Sequence, residues 1–519
     1  MWNSATQFRW RLAVGPLVFV AALFLYPLAR LLVLAFDDGG GFAEVLSNPR
    51  IRSSLWFTLW QATASTILTV MAALPLTWVI SRFRFRGRDL VRALVTVPFV
   101  LPTVVVGVAF AASGMSGSVG GILAAHVFYN LAVVVRTVGG VWSRLDPALD
   151  QAARTLGASP IRAFRTTTLP LLAPAVAAAS AIVFLFSFTS FGVVLIVGGL
   201  RHRTLEVEIY QQAITFLDLP AAGALAVLQL IGVVAVMTVY SRYQERRAVR
   251  FRMVAETDAL IPVRTARERV LVTTIVVATL AALLAPLWAL VRRSFEGGLG
   301  GWRFLGDPGR IAIDPMAAMS SSLRIAAATT VIAVVVGGMA SVVIAAGSDR
   351  LSRGFDVLIM LPLGTSAVTI GLGFLVSLGS LRTSFWMIPL AHALVAIPFV
   401  VRASTPTLRS IRSELREAAA VLGAPPSRVW REIDLPIVAR AMAVGAGFAA
   451  AVSLGEFGAT SFIARPETLT LPTMIFRLLG RPGAVTYSAA MASAVILMVT
   501  TAALILAVDR LRSNEVGSF

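Results

Sequence analysis

Long runs without a single charged side chain constrain the fold of this sequence more than any other feature. Residues 53–81 and residues 93–135 contain no Asp, Glu, Lys or Arg. A helix needs about 20 consecutive apolar residues to cross the hydrocarbon core of a bilayer, so the first run is long enough for one span and the second for two. Charged residues make up 14% of the chain, whereas a soluble domain carries about 25%. The sequence therefore predicts an all-α polytopic membrane protein.

Twelve spans are predicted along the chain. They are residues 12–36, 53–81, two within 93–135, 166–200 and 219–241 in the first half, and 270–291, 321–347, 357–380, 384–405, 436–463 and 484–508 in the second. An external segment with Arg201, His202, Glu206 and Glu208 is expected between the fifth and sixth spans. Arginines cluster in alternate loops, which is the positive-inside pattern. This pattern predicts a multi-pass membrane protein with both termini in the cytoplasm.

The two halves repeat one plan. Residues 1–243 are predicted to form a first transmembrane domain, 244–268 an Arg-rich cytoplasmic linker, and 269–519 a second transmembrane domain. Because each half has an even number of spans, the two six-helix repeats run parallel, related by an axis along the membrane normal.

A polar helix–turn–helix hairpin occurs once in each half, at residues 145–170 and 411–436. The copies are 266 residues apart, since Gly157 matches Gly423 and Pro170 matches Pro436. A glycine at this point can end a helix by adopting positive φ. The first copy contains Gln151, Ala152, Ala153, Gly157, Leu169 and Pro170, and the second contains Glu417, Ala418, Ala419, Gly423, Ile433, Leu435 and Pro436.

This hairpin resembles the coupling loop of permease subunits in bacterial ABC importers. The pattern is Glu-Ala-Ala, three residues, Gly, nine residues, Ile, one residue, Leu-Pro, and the second copy matches it at every fixed position. The first copy departs from it at Gln151 and Thr167. The resemblance implies the type I ABC importer permease architecture, with both transmembrane domains fused in one chain.

The resemblance also implies partners and roles. Two copies of a cytoplasmic ABC ATPase are expected, one on each hairpin, with Glu417 near an Arg of that subunit. An extracytoplasmic substrate-binding protein, such as a lipoprotein, is expected to deliver the substrate, since the predicted outer loops are too short to capture it.

Residue usage excludes several classes of function. All 45 basic residues are arginines and there is no cysteine. A Walker A loop requires a lysine, so ATP and Mg²⁺ are expected on the partner ATPase, and this chain is predicted to hold no cofactor, no metal and no catalytic residues. A net charge of +19 can indicate nucleic-acid binding, but arginines in alternate loops are better explained by membrane topology, and no nucleic-acid partner is predicted.

Candidate residues of a translocation path lie in spans five and eleven, and the two candidate histidines lie in spans four and ten. Glu456 is the one acidic residue well inside a predicted span, where a charge should face a cavity or a partner. It either lines the path as a counter-ion for a cation or pairs structurally with an Arg or a backbone group. The other candidates are Ser187, Ser190, Ser453, His126 and His392. The two histidines are more typical of interhelical hydrogen bonds than of a metal site.

The resemblance is compatible with two substrates. Thr204-Leu205-Glu206-Val207-Glu208-Ile209-Tyr210 is similar to the fused thiamine permeases, whereas Ser453-Leu454-Gly455-Glu456-Phe457-Gly458 fits both those and the ferric-iron permeases. Thiamine or a related cation is favoured, with ferric iron as the alternative. A secondary transporter driven by an ion gradient remains a third possibility, but it would leave the duplicated hairpins unexplained.

Overall fold

The computed structural model describes residues 2–36, 45, 47–199, 201–247, 260–296, 298–306, 314–347 and 349–513. Within these ranges, ten helices are long and apolar enough to cross a bilayer, and two bent pairs raise the number of spans to twelve if each pair counts as one. The predicted all-α polytopic fold with two six-helix repeats is confirmed. The middle of the predicted linker, residues 248–259, lies outside the described residues.

The halves contain corresponding helices in the same order. Those of the first half are α1 (Trp10–Phe36), α2 (Pro49–Arg82), α3 (Arg88–Val100), α4 (Thr103–Met115), α5 (Val119–Trp142), α6 (Ala148–Thr155), α7 (Pro160–Phe188), α8 (Leu205–Tyr210) and α9 (Leu219–Gln244). Those of the second half are α10 (Ala266–Ser294), α11 (Gly300–Gly306), α12 (Pro315–Ala345), α13 (Arg350–Gly364), α14 (Ala367–Ser377), α15 (Met387–Ser410), α16 (Ser413–Val421), α17 (Ser427–Gly455), α18 (Thr460–Ile463), α19 (Leu471–Leu479) and α20 (Ala484–Val508).

Two short strands attach the linker to the first half. β1 (Phe83–Arg84) follows α2 directly, and β2 (Ile261–Pro262) lies at the end of the linker. The strands pair in parallel, with Phe83 opposite Ile261. The start of the second half is therefore tied to the loop after α2.

The third span of each half is broken into two helices. α3 and α4 meet at 96°, and α13 and α14 meet at 94°. At the first break Leu101 has extended backbone (φ −62°, ψ 141°), because the residue before a proline is disfavoured in the helical region. At the second break Ser366 accepts a hydrogen bond from the Val368 N–H at 3.1 Å and so begins α14.

The halves interlock through their first helices. α1 packs against α12 and α14 of the second half, and α10 packs against α3 and α4 of the first. Small residues permit the close approach, since a Cβ on Gly373 of α14 would lie 3.1 Å from Pro27 of α1. Each half is therefore completed by a helix of the other.

The middle of the segment between the fifth and sixth spans packs inside the bundle, whereas its ends, at Arg201 and Leu217, are exposed. Its location on the external side of the membrane stays a prediction. The fifth span ends at Phe188 and not at residue 200, and every residue from 204 to 209 is buried. The carboxylates of Glu206 and Glu208, which were predicted in this segment, are both buried and both have a partner. Glu206 accepts a hydrogen bond from Gln229, and Glu208 lies 3.4 Å from Arg50. The predicted span 436–463 likewise ends early, at Gly455.

Candidate functional site

Glycines in the left-handed region form the turn of both hairpins. Gly157 has φ +88° and Gly423 has φ +78°, and an added Cβ on either would have no heavy atom within 4 Å. The Gly157 N–H donates to the Arg154 carbonyl at 2.9 Å, and the Gly423 N–H donates to the Ala420 carbonyl at 3.0 Å. The repeated glycine is thus explained by backbone conformation, not by lack of space.

Most of the motif side chains lie on the surface of the hairpins. The exposed members are Gln151, Ala152, Gly157, Leu169, Pro170, Glu417, Ala418, Gly423, Leu435 and Pro436, while Ala153 and Ala419 are half-buried. Ile433 differs, because it packs against the cluster formed by Leu408, Ile411, Val438 and Ala441. Ile433 therefore anchors the second hairpin to the bundle.

An ion pair outside the motif residues links the two helices of the second hairpin. Arg416 Nε lies 2.8 Å from Asp434 Oδ1 and so connects α16 to the first half of α17. The corresponding positions in the first half are Asp150 and Thr168, and Asp150 pairs within its own helix with Arg154 at 3.0 Å. The two hairpins have the same turn, but in the second the ion pair joins two helices, whereas in the first it lies within one helix.

Exposed leucines are the feature of the hairpins that the sequence analysis missed. Leu156 is 89% exposed and Leu422 is 87% exposed, and each directly precedes the turn glycine of its hairpin. Single exposed apolar residues are common, but here the same position is exposed in both copies, and the neighbouring Val421 and Ile161 are also exposed. Apolar side chains on an otherwise polar surface indicate a protein contact. The sequence did contain a signal for this contact, namely a leucine repeated one residue before each turn glycine.

Gly423→Ala is expected to destabilise the second hairpin locally, by about 1 kcal/mol, because an L-residue is strained at positive φ. Amide hydrogen exchange around residues 420–424 should speed up about fivefold, since 1.4 kcal/mol corresponds to a factor of ten. Gly140→Ala is the matched control, because Gly140 lies inside α5 and also has open space around it. Faster exchange is not expected in the control, since Ala is favoured over Gly in a helix. Unchanged exchange in Gly423→Ala would contradict the role of the backbone conformation.

The two predicted histidines join helices inside each half. His126 Nδ1 lies 2.9 Å from Ser65 Oγ and His126 Nε2 lies 2.8 Å from Ser190 Oγ. His392 Nδ1 lies 2.8 Å from Ser453 Oγ. Among the described residues there is no group of three His, Asp or Glu side chains that could hold a metal ion. Interhelical hydrogen bonding thus accounts for both imidazoles.

Glu456 is buried and its carboxylate has several donors. The group accepts hydrogen bonds from the N–H of Ala459 at 3.0 Å and from the N–H and the hydroxyl of Thr460 at 3.1 and 2.8 Å. Its Oε2 also lies 3.2 Å from His392 Nε2. The carboxylate therefore occupies the N-terminal end of α18, where backbone N–H groups favour an acceptor. In this conformation the partners of the Glu456 carboxylate are a histidine, a threonine and backbone N–H groups. This arrangement is close to the predicted alternative in which Glu456 pairs structurally within the bundle.

The remaining serine candidates differ in their surroundings. Ser453 Oγ lies 3.2 Å from Thr329 Oγ1 in addition to its contact with His392. Ser187 is buried, but its hydroxyl has no hydrogen-bond partner in the part of the chain that the structure describes. The structure therefore brings Ser190, Ser453 and Glu456 into histidine networks and leaves the Ser187 hydroxyl outside them.

Aromatic side chains from both halves pack against one another next to the histidine networks. Phe191, which follows Ser190, stacks on Phe457, which follows Glu456, with ring centroids 5.3 Å apart. Tyr210 lies 5.4 Å from Phe191 and 5.6 Å from Phe462. Because residues 191 and 457 are equivalent in the repeat, this stack lies where the two halves meet.

A cavity of about 490 Å³ lies near the first hairpin and is lined by both halves. The first half contributes Arg92, Arg136 and Arg144, and the second contributes Phe448 and Val508. Arg144 immediately precedes the first hairpin, so the cavity is at the hairpin end of the bundle.

The sequence matches the family of binding-protein-dependent transport system inner membrane components over residues 65–250 and again over residues 306–513. These two segments together make up more than half of the chain. The chain belongs to this family. It is therefore the permease subunit of an ABC importer, with two transmembrane units fused in one chain, as the hairpin motif predicted. A permease of this family is a transport subunit and not itself an enzyme, and it works with an ATPase and a substrate-binding protein.

Several characterised permeases are similar to this one. It is 28% identical to the thiamine transport system permease protein ThiP of Brucella suis biovar 1, over 96% of both chains. It is 26% identical to ThiP of Escherichia coli, over 84% of this chain and 86% of that one. It is also 32% identical to the sulfate transport system permease protein CysT of Salmonella typhimurium, over 44% of this chain and 91% of CysT. The first two similarities cover both halves of the permease, whereas the third covers less than half of it.

Proposed function

We propose that this permease carries thiamine from an extracytoplasmic binding protein across the inner membrane to the cytoplasm. The observation on which this depends is the similarity to thiamine permeases over 96% of both chains. That similarity favours thiamine over ferric iron, the alternative that the sequence left open. The substrate class is thus an organic cation that carries aromatic rings.

The two hairpins are the proposed contacts for ATPase subunits, one subunit on each. Support comes from the exposed leucines at equivalent positions, Leu156 and Leu422. ATP and Mg²⁺ are assigned to those subunits, because a chain without lysine has no Walker A loop. The exposed Glu417 adds a charged contact on the second hairpin, whereas the first hairpin has the neutral Gln151 at that position.

Transport follows from movement of one half relative to the other. ATP binding would bring the hairpins together and separate the aromatic contact between Phe191 and Phe457, a rigid-body change of the kind that interlocked units undergo. The domains 1–243 and 269–519 are the proposed moving units, with both termini and the linker 244–268 on the cytoplasmic side. The cavity at the hairpin end is the proposed exit towards the cytoplasm.

Sulfate is a second candidate, favoured by one specific observation. Three arginines and one aspartate, Asp89, line the cavity at the hairpin end, and a surface with this excess of positive charge suits an anion better than a cation. The similarity to CysT agrees with that possibility but extends over 44% of the chain.

Uptake by the complete complex tests the proposal. Proteoliposomes that contain the permease, its ATPase and its binding protein are expected to accumulate labelled thiamine when ATP is present inside, and to accumulate no labelled sulfate. A complex whose ATPase lacks its Walker A lysine is the control and should show no uptake. Sulfate uptake without thiamine uptake would replace the first candidate by the second. Uptake driven by an ion gradient without nucleotide would contradict the whole proposal.

A further inference from the structure

Glu206 is a buried carboxylate with one oxygen unused. The residue is 0% exposed. One carboxylate oxygen accepts a hydrogen bond from the Gln229 amide of α9, while Oε2 has no hydrogen-bond partner among the described residues. A buried acceptor without a donor is costly. The carboxylate can therefore accept a further donor or a positive charge without losing an existing contact.

Glu206 and Tyr210 lie on the same face of α8, because they are four residues apart. This face is directed at the second half: Ser366 at the start of α14 lies beside the carboxylate, and Phe462 contacts the Tyr210 ring at 5.6 Å. Separation of the halves would remove both neighbours. The face would then combine a carboxylate with the edge of an aromatic cluster.

The contrast with Glu456 indicates which carboxylate is available. Both oxygens of Glu456 already have donors from Ala459, Thr460 and His392. Glu206 accepts a hydrogen bond from Gln229, its other neighbouring polar group is the Ser366 side chain of the second half, and no described residue forms an ion pair with it. Glu208 also has one oxygen without a partner, but its carboxylate pairs with Arg50 of its own half. The pattern of partners thus points to Glu206, and not to the predicted Glu456, as the group able to meet a ligand.

We propose that Glu206 and Tyr210 form a cation-binding face that contacts the substrate when the two halves separate. Glu206 supplies the negative charge, and Tyr210 with Phe191 supplies aromatic faces for a cation that carries aromatic rings. The proposal rests on the proposed thiamine function, since it requires a substrate with a positive charge and a ring. Glu456 then acts as a positioning residue that holds α18 and its Phe462 side chain.

The test compares uptake with ATP hydrolysis in the complete reconstituted complex. Glu206→Gln is expected to lower thiamine uptake at least tenfold, because it removes the charge but keeps the shape. ATP hydrolysis stimulated by the thiamine-loaded binding protein should stay above half of the wild-type rate, a split that a merely structural role would not produce. Glu208→Gln is the matched control, because Glu208 lies on the same helix, is equally buried, and pairs with Arg50 and Gln212 of its own half. Its uptake per amount of folded protein should remain within twofold of wild type.

Further variants test separately the aromatic ring of Tyr210 and the negative charge of Glu206. Tyr210→Phe is expected to keep most of the uptake and Tyr210→Leu to lose it, since the aromatic face is the proposed contact. Glu206→Asp should transport more than Glu206→Gln, because it keeps the charge. Equal losses of folded protein in both Glu206 variants would assign a structural role and overturn the proposal.

The outcomes separate this proposal from the proposed function. If the wild-type complex takes up thiamine and Glu206→Gln does so equally well, the cation-binding face is wrong and the thiamine function stands. If the wild-type complex takes up sulfate and no thiamine, the thiamine function and the cation-binding face are both overturned.

Discussion

Leu422→Asp is expected to weaken binding of the partner ATPase about 10- to 100-fold, without destabilising the permease itself. Leu422 is 87% exposed, and substitutions at such positions usually change the free energy of unfolding by less than about 0.5 kcal/mol. If the ATPase buries this side chain, its transfer from water contributes about 1.5–3 kcal/mol to binding. Each 1.4 kcal/mol corresponds to about a factor of ten in affinity.

The double variant Leu156→Asp/Leu422→Asp is expected to lose binding on both hairpins and with it all coupled transport. Binding is measured by titrating the purified ATPase into detergent-solubilised permease, and ATP-dependent uptake is measured in proteoliposomes. The control is Leu217→Asn, a leucine that is 77% exposed but lies between α8 and α9, away from the hairpins. Leu217 has φ +58°, a conformation that Asn tolerates. Full ATPase affinity in the double variant would contradict the assignment of the hairpins.

Glu456→Ala is expected to destabilise the second half by several kcal/mol, because each buried donor left without its acceptor costs about 1–3 kcal/mol. The change leaves the N–H groups of Ala459 and Thr460 without their acceptor and removes the carboxylate beside His392. The midpoint of thermal unfolding in detergent should fall by at least about 5 °C.

Ser190→Ala is the matched variant, because Ser190 occupies the position in the first half that corresponds to Glu456. It loses one hydrogen bond, the 2.8 Å contact with His126, and is expected to cost about 1 kcal/mol. Similar midpoints for the two variants would show that the network around Glu456 does not stabilise α18. Undiminished uptake by Glu456→Gln, at normal protein amounts, would in addition exclude Glu456 from the translocation path.

Local patterns were sufficient to predict the architecture. The charge-free runs predicted the spans because a bilayer imposes one length on every crossing helix. The repeated Gly157 and Gly423 predicted the hairpin turns because positive φ is a local property that glycine adopts without strain. The broken third span, by contrast, was predicted as a single helix, although Pro102 and Ser366 stand at the two breaks.

Local sequence patterns could not predict which side chains on different helices contact one another. The contact of Glu206 with Gln229 was not predicted, because the two residues are 23 positions apart along the chain. The exposure of Leu156 and Leu422 was likewise missed, since an apolar residue at a helix end is as compatible with burial as with a docking surface.

The sequence by itself determined that this chain is a duplicated permease, because membrane crossing and hairpin turns depend on residues that are neighbours in the chain. Only the tertiary structure decided which buried carboxylate faces the other half, which histidine contacts which serine, and which aromatic rings join the halves. Those contacts are between elements distant in sequence, and their energies depend on burial and distance, which a linear pattern does not contain.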